Sequence, residues 1–186
     1  MGLEVSKKFV YVMAAVTIVI GAILILIALK SHENPQAIRD GVELTELDSY
    51  WSLKAANPGE VTMVPTITFR IRNKRTAPLD YVKVNGIFTI VGENRALGDA
   101  FAYPIQGEPL QSNVASPQVR LKCNYGYSAS SRQAFLNNPG FKPVEIKIFI
   151  ESRSSGPVPM GTYRISRRIE GVPESFQTEP KAIKVK

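Results

Sequence analysis

His32 and Cys123 are the only histidine and the only cysteine in 186 residues, so acid–base and thiolate chemistry have few carriers. His32 stands in the polar stretch SHENPQAIRDG, away from any candidate pocket, and reads as a solvated side chain. Without a second histidine, Ser-His-Asp and Cys-His arrangements cannot be assembled in the remainder of the chain. Asp80, Glu93, Asp99 and Glu108 are the carboxylates that could pair for general acid–base work. They fall in or beside turn-forming segments, where acidic side chains are normally hydrated. A lone Cys123 forms no intrachain disulfide and belongs to no CxxC zinc or haem pattern, and a copper(I) site would need a second soft ligand beside it. The expectation is therefore no enzyme, no metal and no cofactor.

The cations are more informative. The formal net charge is +7, and most of it lies beyond residue 30. Arg70, Arg72, Lys74, Lys83, Arg120, Lys122 and Lys147 all occupy the polar phase of alternating segments. If those segments are neighbouring strands, Arg70, Arg72, Lys83, Arg120 and Lys122 make one basic surface able to meet an acidic partner or anionic lipid. A merely solvated face is the competing reading. Tyr125 and Tyr127, in YGYS at the end of one such segment, suit either a contact surface or the closing edge of a core. Aromatic residues are not interleaved with the cations at base-stacking spacing, so no nucleic-acid partner is expected.

Ahead of these residues lies FVYVMAAVTIVIGAILILIAL, residues 9–29, with Thr17 its one polar side chain. About 20 apolar residues at the helical rise match a bilayer's hydrocarbon core, and the run exceeds a cleaved signal's apolar stretch and lacks its A-x-A-like site. The reading is an uncleaved transmembrane helix, with residues 1–8 cytoplasmic because Lys7 and Lys8 precede it. Thr17 and Gly21, four apart, are its candidate helix-packing pair. The chain is thus expected to be a single-pass protein of a bacterial inner membrane, its partners the lipid bilayer and an integral membrane protein complex. Residues 30–41 read as a linker, and residues 42–186 as a periplasmic domain.

Within that domain the apolar period is 2. Ile67, Phe69 and Ile71 alternate with polar residues, as do Val119, Leu121 and Cys123, and Val144, Ile146, Ile148 and Ile150; each set marks a strand with one face in a core. Val82, Val84, Phe88 and Ile90 do the same around Gly86, where a bulge or a close backbone approach is expected. Further strands are read at 42–47, 100–105, 162–165 and 182–185. One short helix is expected over Ser131–Asn137, capped by serine and stopped by Asn-Pro-Gly. A mainly β, antiparallel immunoglobulin-like β-sandwich of seven or eight strands, preceded by one transmembrane α-helix, is the fold expected.

The segment FRIRNKRTAPLDYVKVNGIFTIVGENRALGDAFAY resembles the FxLYD family of small envelope β-sandwiches. Asn73 matches its strand-ending asparagine, Pro78–Val84 the entry to its second strand, and Phe88 its phenylalanine, while Val91 and Gly92 replace its Tyr-Asp pair. The resemblance implies an immunoglobulin-like fold with no activity attached. The expected role is a non-catalytic accessory or scaffold subunit of a membrane complex, or else an envelope binding module that takes a peptide, ligand or anionic surface through its basic face or a sheet edge.

Overall fold

The computed structural model describes residues 7–30, 35–93, 95–153, 155–172 and 176. The chain divides into two units, Met1–Asn34 and Pro35–Lys186. In the first, α1 runs over Lys7–Lys30. The expected membrane-spanning anchor is corrected here: among the described residues, no helix is long and apolar enough to cross a membrane. The single-pass inner-membrane localisation fails with it. The Thr17 hydroxyl donates to its own helix, at Met13 O, 2.9 Å away, and no atom of this unit lies within 4 Å of a Cβ built on Gly21.

The second unit opens with α2 (Pro35–Gly41) rather than a linker. Ile38 explains this, because its side chain is fully buried in the domain core. Strand β1 (Val42–Asn57) turns through Pro58 and Gly59 into β2 (Glu60–Asn73). Gly59 takes a φ of 81°, which glycine adopts without steric cost. Then follow β3 (Leu79–Ile90), β4 (Ala96–Leu110), β5 (Val119–Lys122), β6 (Tyr127–Ala129), α3 (Arg132–Asn137), β7 (Val144–Ser152), β8 (Val158–Arg164) and β9 (Ile169–Glu170). Ser131 caps α3 by accepting from the Ala134 N–H. Residues 182–185, read as a strand, lie outside the described residues.

Two sheets form. Sheet A has the order β5-β2-β1-β9, with β6 also pairing with β2; sheet B has the order β4-β3-β7-β8. All pairings are antiparallel except the two-residue contact of β1 with β9. The alternating residues of β2, β5, β3 and β7 point between the sheets, where Ile67, Phe69, Leu121, Val84, Phe88, Ile146 and Ile148 are buried. Gly86 sits on this inner face in unbroken register with β7. A Cβ there would come within 2.5 Å of Ile146 Cδ1 and 2.8 Å of Leu121 Cδ1, so the glycine marks a close approach and not a bulge. One end of the core is aromatic: Phe141 stacks with Phe135 at 4.2 Å and with Trp51 at 4.8 Å between ring centroids.

Asn73, fully buried at the end of β2, organises the β2–β3 connection. Its Nδ2 donates to Ala77 O and Leu110 O, and its Oδ1 accepts from the Arg75 N–H. The Leu110 carbonyl is buried with it and would lose this donor, while the Ala77 and Arg75 groups are part-buried. Asn73→Ala should therefore lower unfolding free energy by about 2–3 kcal/mol, checked by denaturant unfolding of the two proteins; a loss under about 0.5 kcal/mol would show that the loop holds itself.

Candidate functional site

The predicted basic surface divides between the two sheets. On the outer face of sheet A, Thr68 faces Arg120 and Thr66 faces Lys122 across the β2–β5 ladder, and the same phase of β2 carries Arg70 and Arg72. Lys83 belongs to the outer face of sheet B, beside Glu151 in register. Lys147 shares that face and lies over the Phe149 ring at 5.3 Å. The sequence places each cation in the wet phase of its strand. Only strand order decides which of them are neighbours.

Partners separate the cations further. Lys83 pairs with Glu151 at 3.2 Å, and that hydrogen bond is the main reason its ammonium is held above its ordinary pKa. Arg70 pairs with Glu46 at 2.8 Å and also donates to Ser116 O. Lys122 donates to Leu53 O at 2.7 Å, which draws its side chain across the sheet. Arg72 and Arg120 make no ion pair and no side-chain hydrogen bond among the described residues, although Glu43 lies opposite Arg72 in register. Beside Arg120 is a hollow of about 250 Å³ lined by Tyr50, Ser52, Leu53, Arg120, Lys122 and Glu170. Its hydroxyl Ser52 Oγ is 2.7 Å from the buried Thr66 Oγ1.

The tyrosines of YGYS part company. Tyr127 packs into the aromatic end of the core, 5.6 Å from both Trp51 and Phe141, and burial pushes its phenol above the usual range. Tyr125 is 65% exposed. Gly126 between them lies so close to β2 that an added Cβ would overlap Met63 O at 1.8 Å. Of the two readings the sequence leaves open, Tyr127 takes the core edge, part-buried against the cluster, and Tyr125 the exposed surface.

Sequence reasoning missed two further exposed rings. Phe101 and Tyr103 on β4 are 64% and 45% exposed, and they form a chain with Tyr81 at centroid separations of 5.9 and 6.1 Å. The signal was present as alternation in DAFAY, where the small residues, not the large ones, take the inner phase. Asn85, in register between Phe101 and Phe149, has a buried Oδ1 with no donor, an uncommon state for a native polar group.

Catalytic chemistry gains no support from the carboxylates. Glu93 is held below its usual range chiefly by a hydrogen bond from Lys142. No group of three or more His, Cys, Asp or Glu side chains able to hold a metal occurs among the described residues. His32 lies outside them. Cys123 is buried, and burial raises its thiol pKa against smaller opposing hydrogen bonds from the Tyr125 and Asn124 backbone.

No protein-family model matches this chain, and no curated protein matches it. Solved structures do. A structural-genomics target superposes with a TM-score of 0.42 at 10% identity, covering 81% of this chain and 96% of that one. A Bordetella pertussis protein described as ApaA gives 0.40 at 15% identity, over 68% and 94%. A protein of Arabidopsis thaliana gives 0.39 at 12% identity, over 70% and 83%. Likeness at this level says nothing of function.

Two outcomes follow from the geometry. A polar maleimide at pH 8 should label Cys123 slowly in the native protein and rapidly in denaturant, since the thiolate is disfavoured by burial; fast native labelling would place the thiol outside, with Arg120 and Lys122 turned in. Gly126→Ala should destabilise the domain by about 1–3 kcal/mol through forced movement against β2, read from the shift of its denaturation midpoint.

Proposed function

We propose that this chain is a non-catalytic binding module that docks an acidic protein partner on the outer face of sheet A. The observation that carries the reading is the pair Arg72 and Arg120, two guanidinium groups without a carboxylate partner among the described residues, on a face where Arg70 and Arg168 each have one. A free guanidinium offers a planar fork that matches carboxylates. Lys122 adds a charge whose position is already fixed by Leu53 O, and the hollow beside Arg120 gives an incoming side chain a place to sit. The scaffold or accessory role expected from the sequence is retained as association with other proteins.

Poly-L-glutamate serves as the acidic probe. Its binding to the full chain should weaken about tenfold or more in the double variant Arg72→Glu with Arg120→Glu, and should fade as salt rises from 0.1 M to 1 M, where the Debye length drops from about 10 Å to 3 Å. Lys83→Glu, on the other sheet, should have little effect. Equal losses from all these changes would mean that the probe senses net charge alone and would overturn the reading.

A further inference from the structure

Each sheet has two edges, and three of the four are blunted. In sheet A, β9 is two residues long, and the opposite edge is split into β5 and β6, of four and three residues. In sheet B, β8 carries Pro159 and a register shift against β7. Such interruptions are how sheet edges avoid pairing with other chains. The fourth edge differs. β4 is 15 residues long; its register against β3 shifts between Ala96 and Gly98 and again beyond Ala102, but Gly98–Ala102 pairs without interruption and holds no proline, lysine or arginine and one charge, Asp99. Its only ladder partner is β3, so one side of its backbone is unpaired among the described residues.

The most exposed aromatic side chains of the domain gather at this edge. Phe101 and Tyr103 project from β4 itself, and the Tyr125 ring lies against the backbone at Gly98. Between β4 and the end of β5 is a crevice of about 300 Å³ lined by Asp99, Ala100, Phe101, Lys122 and Asn124. Asn124 is itself fixed, because Lys54 Nζ donates to its carbonyl, and the same ammonium lies 6.0 Å from the Tyr125 ring.

From this we infer that the free edge of β4 over Ala96–Tyr103 is a strand-addition site for an extended peptide segment of a partner protein. One added strand needs about 4.8 Å of space in the hydrogen-bonding direction, and main-chain bonds supply its affinity while alternate side chains supply specificity. Side chains on one face of the added strand meet Phe101 and Tyr103, which favours aromatic or β-branched residues there. Those on the other face meet Asn124, which favours amide or hydroxyl residues. A second copy of this chain is a poorer occupant: Tyr125 and Asn124 flank the edge, and a single extended chain passes them where the edge of another whole sheet meets them. The site borders the Arg72–Arg120 face at Lys122, which lines both hollows, but its main-chain pairing with β4 does not rest on that face.

The probe is a phage-displayed library of random dodecapeptides selected on the immobilised full-length chain, with the best binder then synthesised. The selected sequences should carry apolar residues at every second position. Methylating alternate backbone nitrogens of the synthetic peptide should weaken binding tenfold or more when the methylated set faces β4, and hydrogen exchange should slow across Ala96–Tyr103 in the complex. Phe101→Ser with Tyr103→Ser, both exposed and outside the core, should weaken peptide binding about tenfold while leaving poly-L-glutamate binding unchanged. Failure to select such peptides, indifference to N-methylation, or protection elsewhere would overturn the proposal. So would slowed exchange of β4 that depends on protein concentration without peptide, which would make a second copy the occupant.

Discussion

Burial of one face of each sheet against the other is the constraint from which the remaining features follow. β2, β3, β5 and β7 turn every second residue inward, and each such aliphatic or aromatic side chain contributes roughly 1.5–3 kcal/mol when fully removed from water. Gly86 keeps the approach close, since Ile146 and Leu121 fill the space where its side chain would be. Register is then not free. A slip of one residue would bring Arg70, Arg72, Arg120 and Lys122 into the core together.

Because the inner faces are fixed in this way, everything able to meet a partner lies on the outer faces or at the edges. Sheet A presents guanidinium groups, two of them uncommitted. Sheet B presents rings, and its Lys83 and Lys147 are engaged by Glu151 and Phe149. The same molecule thus carries a charged face and an aromatic edge with different physical selectivity. The first depends on salt, and the second depends on main-chain hydrogen bonds.

Much of the fold could be read from residue order, and the reasons are local. The strands around Leu121, Phe88 and Ile146 alternate because each has one dry face, and β2 around Ile67 alternates in residue type although Thr66 and Thr68 on its other face are also buried. β1 was visible only over its first residues: Glu46 has a φ of 51°, and the register shifts between Thr45 and Asp48, which breaks the period just where the strand continues. α2 has a single buried side chain, Ile38, too little for a helical stripe. β9 exists through its contact with β1 and has no signal of its own. The candidate site was half legible. Phase told which cations are wet, but strand order, a long-range property, put Lys83 on a different sheet from Arg120 and set Tyr127 part-buried against the core. The apolar run of residues 9–29 suggested a span that the described part of α1 does not support.

The central claim is that recognition of acidic groups belongs to sheet A and not to the positive charge as a whole. Arginine-selective modification by phenylglyoxal, quantified site by site in the presence and absence of poly-L-glutamate, tests this directly. Arg72 and Arg120 should be protected while Arg164, on β8 of the other sheet, reacts at an unchanged rate. Uniform protection of all three, or protection of Arg164 alone, would contradict the account.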